Sequence, residues 1–409
     1  MFLESVAITS GRHPIGDLRG NTVGHERSLG VLLISALLVA AGSVQAGATT
    51  VPDGTAGGEA DLATAAAGLR DIGFDQIADS VDAADPGDVG SFELAGSIAD
   101  KVAAGEAFNY VFSYQSSAIA NFSDQYAAGY EGTLDVAASI APMNPTSIAP
   151  AVPGTDVPQQ IAQIEALLNT EQIDCLTIEP ADSNSFTDIV QRAVDAGIPV
   201  FTVGVTSNGA EFSNFTQIPL EEGATVADGV LAYAEANDID LSVFTVSGGD
   251  PSQFWAQGRM EGFQTRILEE IPDAEFINTF DNALTAPYDP AGALDAYKAF
   301  LAGNPEVNVI MNADIGAEHA ATAIADAGLI GEAFSVGWNV APGSLDAIEA
   351  GTQIATYDQE WSQQAGFGAV ACAVYLATGL VMPNTQHLTE VNISNAAEAR
   401  AELEEILGD

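Results

Sequence analysis

Along this sequence, short apolar runs are followed at once by residues able to hold a small polar molecule. They are Tyr114-Gln115-Ser116-Ser117, Glu179-Pro180-Ala181-Asp182, Ser247-Gly248-Gly249-Asp250, Asn312-Ala313-Asp314, Trp338-Asn339 and Tyr357-Asp358-Gln359. Carboxylates accept hydrogen bonds, amides donate and accept them, and aromatic rings cover the C–H face of a polyol. Gln115, Asp314, Asn339 and Gln359, with Phe122, Tyr288 and Trp338, therefore carry the chemistry to hold a neutral polyhydroxylated ligand. Each also has a structural use. Asp314 could cap a helix starting near Gly316 and Asp182 one near Ser185, and a Trp after a strand more often serves the core. Recurrence at successive strand ends is what favours binding.

Catalysis finds less support. A glycosidase needs an acid and a nucleophile or base at a defined separation, and Asp182, Asp250, Asp314 and Asp358 include no pair that the sequence singles out. Past residue 46 the histidines are His319 and His387, far apart and without ligand-type spacing, and no G-x-S-x-G, P-loop or H-E-x-x-H motif occurs. No catalytic residue, metal or cofactor is expected. Cys175 lies in the apolar run IDCLTI and Cys372 in FGAVACAVYLATG, so both are expected as buried free thiols rather than a bridge.

The charge narrows the partners. Fifty-seven acids stand against 10 bases in 409 residues, a formal charge of -47. Such a surface cannot neutralise a run of phosphates, which excludes nucleic acid and disfavours anionic lipid. It resembles the acidic proteins of salt-adapted organisms, where concentrated salt screens self-repulsion. Residues 29–41, LGVLLISALLVAA, follow Arg27 and precede Val44-Gln45-Ala46, the pattern of a secretory signal cut after Ala46. The alternative is an uncleaved anchor, since the weakly polar stretch continues to Ala48. Either way the remainder is expected outside the cytoplasm.

The elements that must position the strand-end residues follow. Residues 47–105 read as a spacer and helical extension, broken at Asp85-Pro86-Gly87, rather than as core. From Asn109 the runs NYVFSY, LDVAASIA, IDCLTIE, IPVFTVGV, LSVFTVS, AEFINTF, VNVIMNA, FSVGW and TQIATY read as strands alternating with amphipathic helices such as VPQQIAQIEALLN. That alternation predicts an α/β fold with parallel sheets covered on both faces, most economically two sheets of five or six strands with a cleft between the lobes. Ligands of such sheets lie beyond the carboxyl ends of the strands.

Longer stretches add a resemblance. VPQQIAQIEALLNTEQIDCLTIEPADSNSFTDIVQRAVDAGIPVFTV, GRMEGFQTRI, YDPAGALDAYKAFLAGNPEVNVIMNADIGAEHAATAIADAGL and SVGWNVAPGSLDAIEAGTQIATYDQ resemble, in order and spacing, the periplasmic sugar-binding proteins of ABC transporters of the ribose and galactose type. The similarity runs from Asn109 to Val391. It implies the type I periplasmic-binding-protein fold, two doubly wound parallel-sheet lobes joined by three hinge crossings. Lobe 1 would be 106–218 plus 360–391 and lobe 2 219–359 plus 392–409, with hinges near Ile218–Pro219, Gln359–Glu360 and Val391–Ile393. It further implies a monomer that captures a small neutral sugar or polyol and delivers it to an ABC permease, or alternatively a receptor for chemotaxis or signalling. A secreted glycoside hydrolase is the more distant alternative.

By position, the resemblance puts ligand contacts at Gln115, Phe122, Thr155 and Asp156 in lobe 1. In lobe 2 and the hinge it puts them at Gln257, Tyr288, Asp314, Asn339 and Gln359. The acidic-basic pair that grips a pentose in ribose-type members falls on Gly204 and Val205, and the family's arginine on Gln257. Ribose is accordingly disfavoured, and recognition by amides, Asp and aromatic rings, with Phe254 and Trp255 offering an apolar face, implies an uncharged ligand. Repressors that share the fold carry an N-terminal helix-turn-helix and a basic surface, whereas this chain has the pattern of an export signal and a formal charge of -47.

Overall fold

The computed structural model describes residues 61–407 apart from 88, 120, 121 and 153; the secretory signal expected at the N-terminus, with its cut after Ala46, falls outside the described residues. Three helices come first, α1 (Leu62–Asp71), α2 (Asp75–Asp82) and α3 (Gly96–Ala104). The first lobe then runs β1 (Phe108–Ser113), α4 (Phe122–Ile140), β2 (Met143–Ile148), α5 (Val157–Leu168), β3 (Cys175–Ile178), α6 (Thr187–Asp195), β4 (Val200–Gly204) and β5 (Asn214–Thr216). The second lobe runs α7 (Pro219–Asn237), β6 (Val243–Gly248), α8 (Phe254–Glu270), β7 (Glu275–Phe276), β8 (Leu284–Thr285), α9 (Pro290–Gly303), β9 (Val309–Asn312), α10 (Ala317–Ala327), β10 (Phe334–Trp338), α11 (Pro342–Glu349) and β11 (Gln353–Asp358). The chain returns to the first lobe as α12 (Trp361–Thr378) and β12 (Thr385–Gln386), then to the second as β13 (Thr389–Asn392) and α13 (Ala396–Leu407).

The sheets have the orders β12-β5-β4-β3-β1-β2 and β13-β11-β10-β9-β6-β7, with β8 also pairing β6. Pairing is parallel except between β11 and β13. The strands β3, β4, β9 and β10 are buried at every position, as strands covered by helices on both faces must be. This is the α/β architecture of two parallel-sheet lobes that the strand and helix alternation predicts. No helix among the described residues is long and apolar enough to cross a membrane.

Each lobe depends on one pair of helices in close contact. A Cβ on Gly129 of α4 would lie 2.0 Å from the Ser362 carbonyl oxygen of α12, and one on Gly223 of α7 would lie 2.0 Å from the Arg259 carbonyl oxygen of α8. Only glycine lets these backbones meet. The second contact also brings Glu222, the neighbour of Gly223, within reach of the Arg259 side chain.

Four expectations change. The run LDVAASIA belongs to helix α4, because its alanines favour a helix, and the strand expected there is β2, MNPTSI, which tolerates Pro145 because it forms the edge of its sheet. Residues 62–104, expected to stay outside the core, contribute Leu69, Ile77, Ala78, Val81 and Ile98 to the buried cluster of the first lobe. The third crossing falls at His387–Leu388 rather than 391–393, since β13 already pairs with β11 from Thr389.

The fourth concerns the cysteines, which form a disulfide between β3 and α12. Their Cα atoms are 6.0 Å apart although 197 positions separate them, a proximity that only the packing of α12 on the sheet creates. Cross-linking so long a loop should stabilise the fold by about 5 kcal/mol in the chain-entropy account, and such bridges persist in oxidising compartments. Alkylation of the denatured, unreduced protein should therefore label no thiol, and labelling after reduction should give two. Free thiols before reduction would mean the bridge does not form.

Candidate functional site

Between the lobes lies a cleft enclosing roughly 740 Å³ of empty space, part of it open to solvent. It is lined from both sides. The first lobe contributes Gln115, Phe122, Tyr126, Glu179, Trp361 and Gln364, and the second Asp250, Trp255, Arg259, Tyr288, Asp314 and Asn339. Gln217 and Gln359 come from the crossings. At its mouth Gln253 reaches across from the second lobe, its Nε2 3.4 Å from Thr155 Oγ1.

On the first-lobe side, Glu179 follows β3 and is buried, and its two carboxylate oxygens accept from Gln115 N and Gln115 Nε2, both at 2.8 Å. Burial pushes its carboxyl well above the usual range, against the opposing pull of the Gln115 bonds. The Tyr126 hydroxyl donates to Gln364 Oε1 at 2.8 Å. Phe122 packs 4.3 Å from Tyr126 and meets the edge of Trp361 at 5.1 Å between centroids, so this wall is aromatic with one polar corner.

The second-lobe side is built around Arg259, which is 2% exposed. Its Nε donates to Glu222 at 2.7 Å, Nη1 to the Ala313 carbonyl at 2.9 Å, and Nη2 to Gln217 at 2.8 Å and Gln359 at 2.5 Å. The Trp338 and Trp255 rings lie 4.7 and 5.3 Å from the guanidinium carbon. Gln359 Nε2 donates to Asn339 Oδ1. The Asn339 Nδ2 group, in a residue 2% exposed with φ +75, has no partner.

Asp314 completes the wall. Asn312 Oδ1 accepts from the Asp314 backbone N at 2.8 Å, Asp314 Oδ2 accepts from Gly249 N at 3.0 Å, and Oδ1 has no partner, with the Tyr288 side chain beside the carboxylate favouring its charged form. Burial raises its pKa to about 7, outweighing the Gly249 bond, the Arg259 charge and the Tyr288 bond. Asp250 moves the other way: burial alone would raise it, but bonds from Ser252 and Gln253 hold its carboxyl below the ordinary value. Tyr288 lies so close over Gly249 that a Cβ there would come 2.4 Å from its ring.

Of the nine contacts expected, Gln115, Phe122, Thr155, Tyr288, Asp314, Asn339 and Gln359 line this cleft; Asp156 and Gln257 do not. Asp156 caps α5, accepting from Gln159 N at 3.0 Å, and leaves Thr155 to face the cleft. Gln257 donates to the carbonyls of Pro251 and Phe280, because the cleft face of α8 follows a four-residue spacing through Trp255 and Arg259 and residue 257 points elsewhere. An arginine that does line the cleft, Arg259, stands two positions on. Trp338 is fully buried beneath Arg259 and does not line the cleft, and Phe254 is exposed outside it. Asp314 is no helix cap, since α10 starts at Ala317 with Gly316 as its N-cap and no side-chain cap, whereas Asp182 accepts from Ser185 N in a turn before α6. Sequence reasoning missed Arg259, Gln217, Trp361 and Gln364. The i, i+4 step from Trp255 could have found the first, but the other three lie at crossings or on the returning helix, where a strand-end rule does not look.

Comparison with known proteins bears on this site. Residues 114–380 match the periplasmic binding protein domain. A curated relative, the ABC transporter periplasmic-binding protein YphF of Escherichia coli (strain K12), is 22% identical over 167 residues, 40% of this chain and 49% of that one, so the match spans about half the relative's length. Among solved structures, an ABC transporter solute-binding protein from Burkholderia graminis in complex with D-arabinose superposes with a TM-score of 0.60 at 16% identity, covering 70% of this chain and 96% of its own. The Caulobacter myo-inositol binding protein bound to myo-inositol gives 0.59 at 18% identity, covering 72% and 96%. At these identities the likeness concerns the fold.

Asp314 yields a test that needs no ligand. Its folded pKa of about 7 lies above the reference 3.8, so the folded state holds a proton through that window and ionising it costs stability as pH rises from 3.8 towards 7. Thermal unfolding should show Asp314→Asn gaining on the wild type between pH 4 and about pH 8, with the difference flat below pH 4. A difference that shrinks as pH rises would contradict the assignment.

Proposed function

Because the chain belongs to the periplasmic binding protein family, we propose that it captures a small uncharged polyhydroxylated ligand, a monosaccharide or cyclic polyol, between its two lobes and delivers it to an ABC importer. It acts outside the cytoplasm, as the family does, and as a monomer. The observation that carries the ligand class is the pair of buried, unpartnered polar atoms in an aromatic-walled cleft, Asp314 Oδ1 and Asn339 Nδ2. Leaving such atoms unpaired costs about 1–3 kcal/mol each, a cost that a ligand hydroxyl donating to one and accepting from the other removes. Charge argues against an anion. The Arg259 guanidinium is met by Glu222, and the remaining ionisable groups around the cleft are Glu179, Asp250, Asp314 and tyrosines. The solved relatives described above hold D-arabinose and myo-inositol, both uncharged polyols.

In this reading Gln115, Phe122, Tyr288, Asp314, Asn339 and Gln359 contact ligand, with Trp255 and Trp361 as further apolar surfaces. Ligand that bridges both lobes binds the closed arrangement better than the open one and so shifts the population towards closed. The acidic exterior, 57 acids to 10 bases, suits a solvent of concentrated salt.

Calorimetry against a panel of pentoses, hexoses, inositols and nucleosides in high salt should give saturable binding by at least one member. Tyr288→Ala or Asn339→Ala should weaken it at least about tenfold, roughly 1.4 kcal/mol. If a ligand hydroxyl donates to Asp314, the ionised acceptor is the binding form, so below about pH 7 binding should release a proton and affinity should rise with pH up to that point. No binding across the panel, or binding confined to anions, would remove this reading.

A further inference from the structure

The helices α1 and α2 precede the segment that matches the family, and α2 packs against α12, the helix that follows the second crossing. Contacts tie this added segment to the lobe 1 side of two crossings. At the second crossing, Gln363 in the first turn of α12 donates through Nε2 to the Gly73 carbonyl at 2.8 Å, and the side chain of Gln76 on α2 hydrogen-bonds the Glu360 carboxylate. Next to the third crossing, Ser80 on α2 pairs its hydroxyl with Thr385 of β12 at 3.0 Å, and beyond them Asp85 and Val381 exchange two backbone hydrogen bonds.

Glu360 is where this segment reaches the other lobe. Its backbone is left-handed, φ +58, a conformation a non-glycine residue keeps only when its surroundings hold it. Its Oε1 accepts from Thr389 Oγ1 at 2.7 Å, and Thr389 opens β13 in the sheet of the second lobe. One carboxylate thus joins α2, the second crossing and the first strand after the third. Nothing in this cluster lines the ligand cleft.

We propose that Gln76 and Ser80 are positioning residues for ligand capture, and that through them helix α2 braces the hinge and limits how far the lobes open. The backbone of a crossing is free to rotate unless its side chains are held. Here the side chains just past the second crossing and just before the third are held by the same short helix, whose Ile77, Ala78 and Val81 are buried in the first-lobe core. The brace is therefore rigid on the lobe 1 side and meets lobe 2 through the Glu360–Thr389 bond alone among the contacts named. The inference rests on the two-lobe capture reading but concerns the hinge, not the ligand.

The test uses ligand-free protein. Spin labels introduced by Ala166→Cys on α5 and Ala302→Cys on α9, exposed positions in different lobes, report the interlobe distance by pulsed electron resonance, the native bridge being buried. Gln76→Ala and Ser80→Ala should each move the ratio of open to closed populations towards open by roughly fivefold, the effect expected of one lost hydrogen bond, and broaden the distance distribution. Thr389→Ala, which removes the partner of Glu360 from the lobe 2 side and leaves α2 intact, should do the same and keeps the test valid if an α2 variant folds poorly. A purely structural role would lower the melting temperature and leave the distribution of the folded protein unchanged. That result, or an unchanged distribution in Thr389→Ala, overturns the proposal. Since no ligand enters the measurement, a failed sugar panel and a failed brace are separate outcomes.

Discussion

A guanidinium buried to 2% exposure must have its charge and its N–H groups answered within the protein, and the arrangement around Arg259 is organised by that demand. Glu222 answers the charge, and the Ala313 carbonyl and the amides of Gln217 and Gln359 answer the remaining donors. Two of those partners lie on chain crossings, and a third sits beside Asp314. The same side chain therefore fixes the hinge and the floor of the cleft. It can be placed there because Gly223 lets α7 and α8 touch, and because Trp255 and Trp338 supply faces on which a delocalised cation rests.

The cleft takes its character from what Arg259 does not leave over. With the cation neutralised, recognition falls to groups whose hydrogen bonding is incomplete, Asp314 Oδ1 and Asn339 Nδ2, and to rings that exclude water. Burial pushes the carboxyls of Glu179 on the first-lobe side and Asp314 on the second above the ordinary range, Asp314 to about 7, while the bonds from Ser252 and Gln253 hold Asp250 below it. A chain with a formal charge of -47 thus carries two cleft carboxyls that resist ionisation, because burial removes the water that stabilises their charged form.

Much of this was legible in the residues. The apolar runs CLTI, VFTVG, VIMN and FSVGW carry no charge to place in water, so burial on both faces, and hence parallel sheets between helices, follows from composition. Strand-end polarity likewise pointed to Gln115, Asp314, Asn339 and Gln359. Legibility failed where a side chain's role depends on a partner distant in sequence. Asp156 was spent on the N-terminus of α5, and Gln257 turned to the far face of its helix. Arg259 was overlooked because nothing near position 259 announces Gln217, Glu222 and Gln359.

The sequence by itself determined the fold class, the net acidity of the chain and the kinds of group available for binding, since these depend on local periodicity, net charge and residue type. Tertiary structure alone decided that Cys175 and Cys372 are bonded, that Leu69, Ile77, Ala78, Val81 and Ile98 join the first-lobe core, and that the third crossing comes at His387–Leu388. The physical reason is common to all three. Each depends on distances between segments that packing brings together, and a chain's local chemistry carries no measure of those distances until the helices have docked on their sheets.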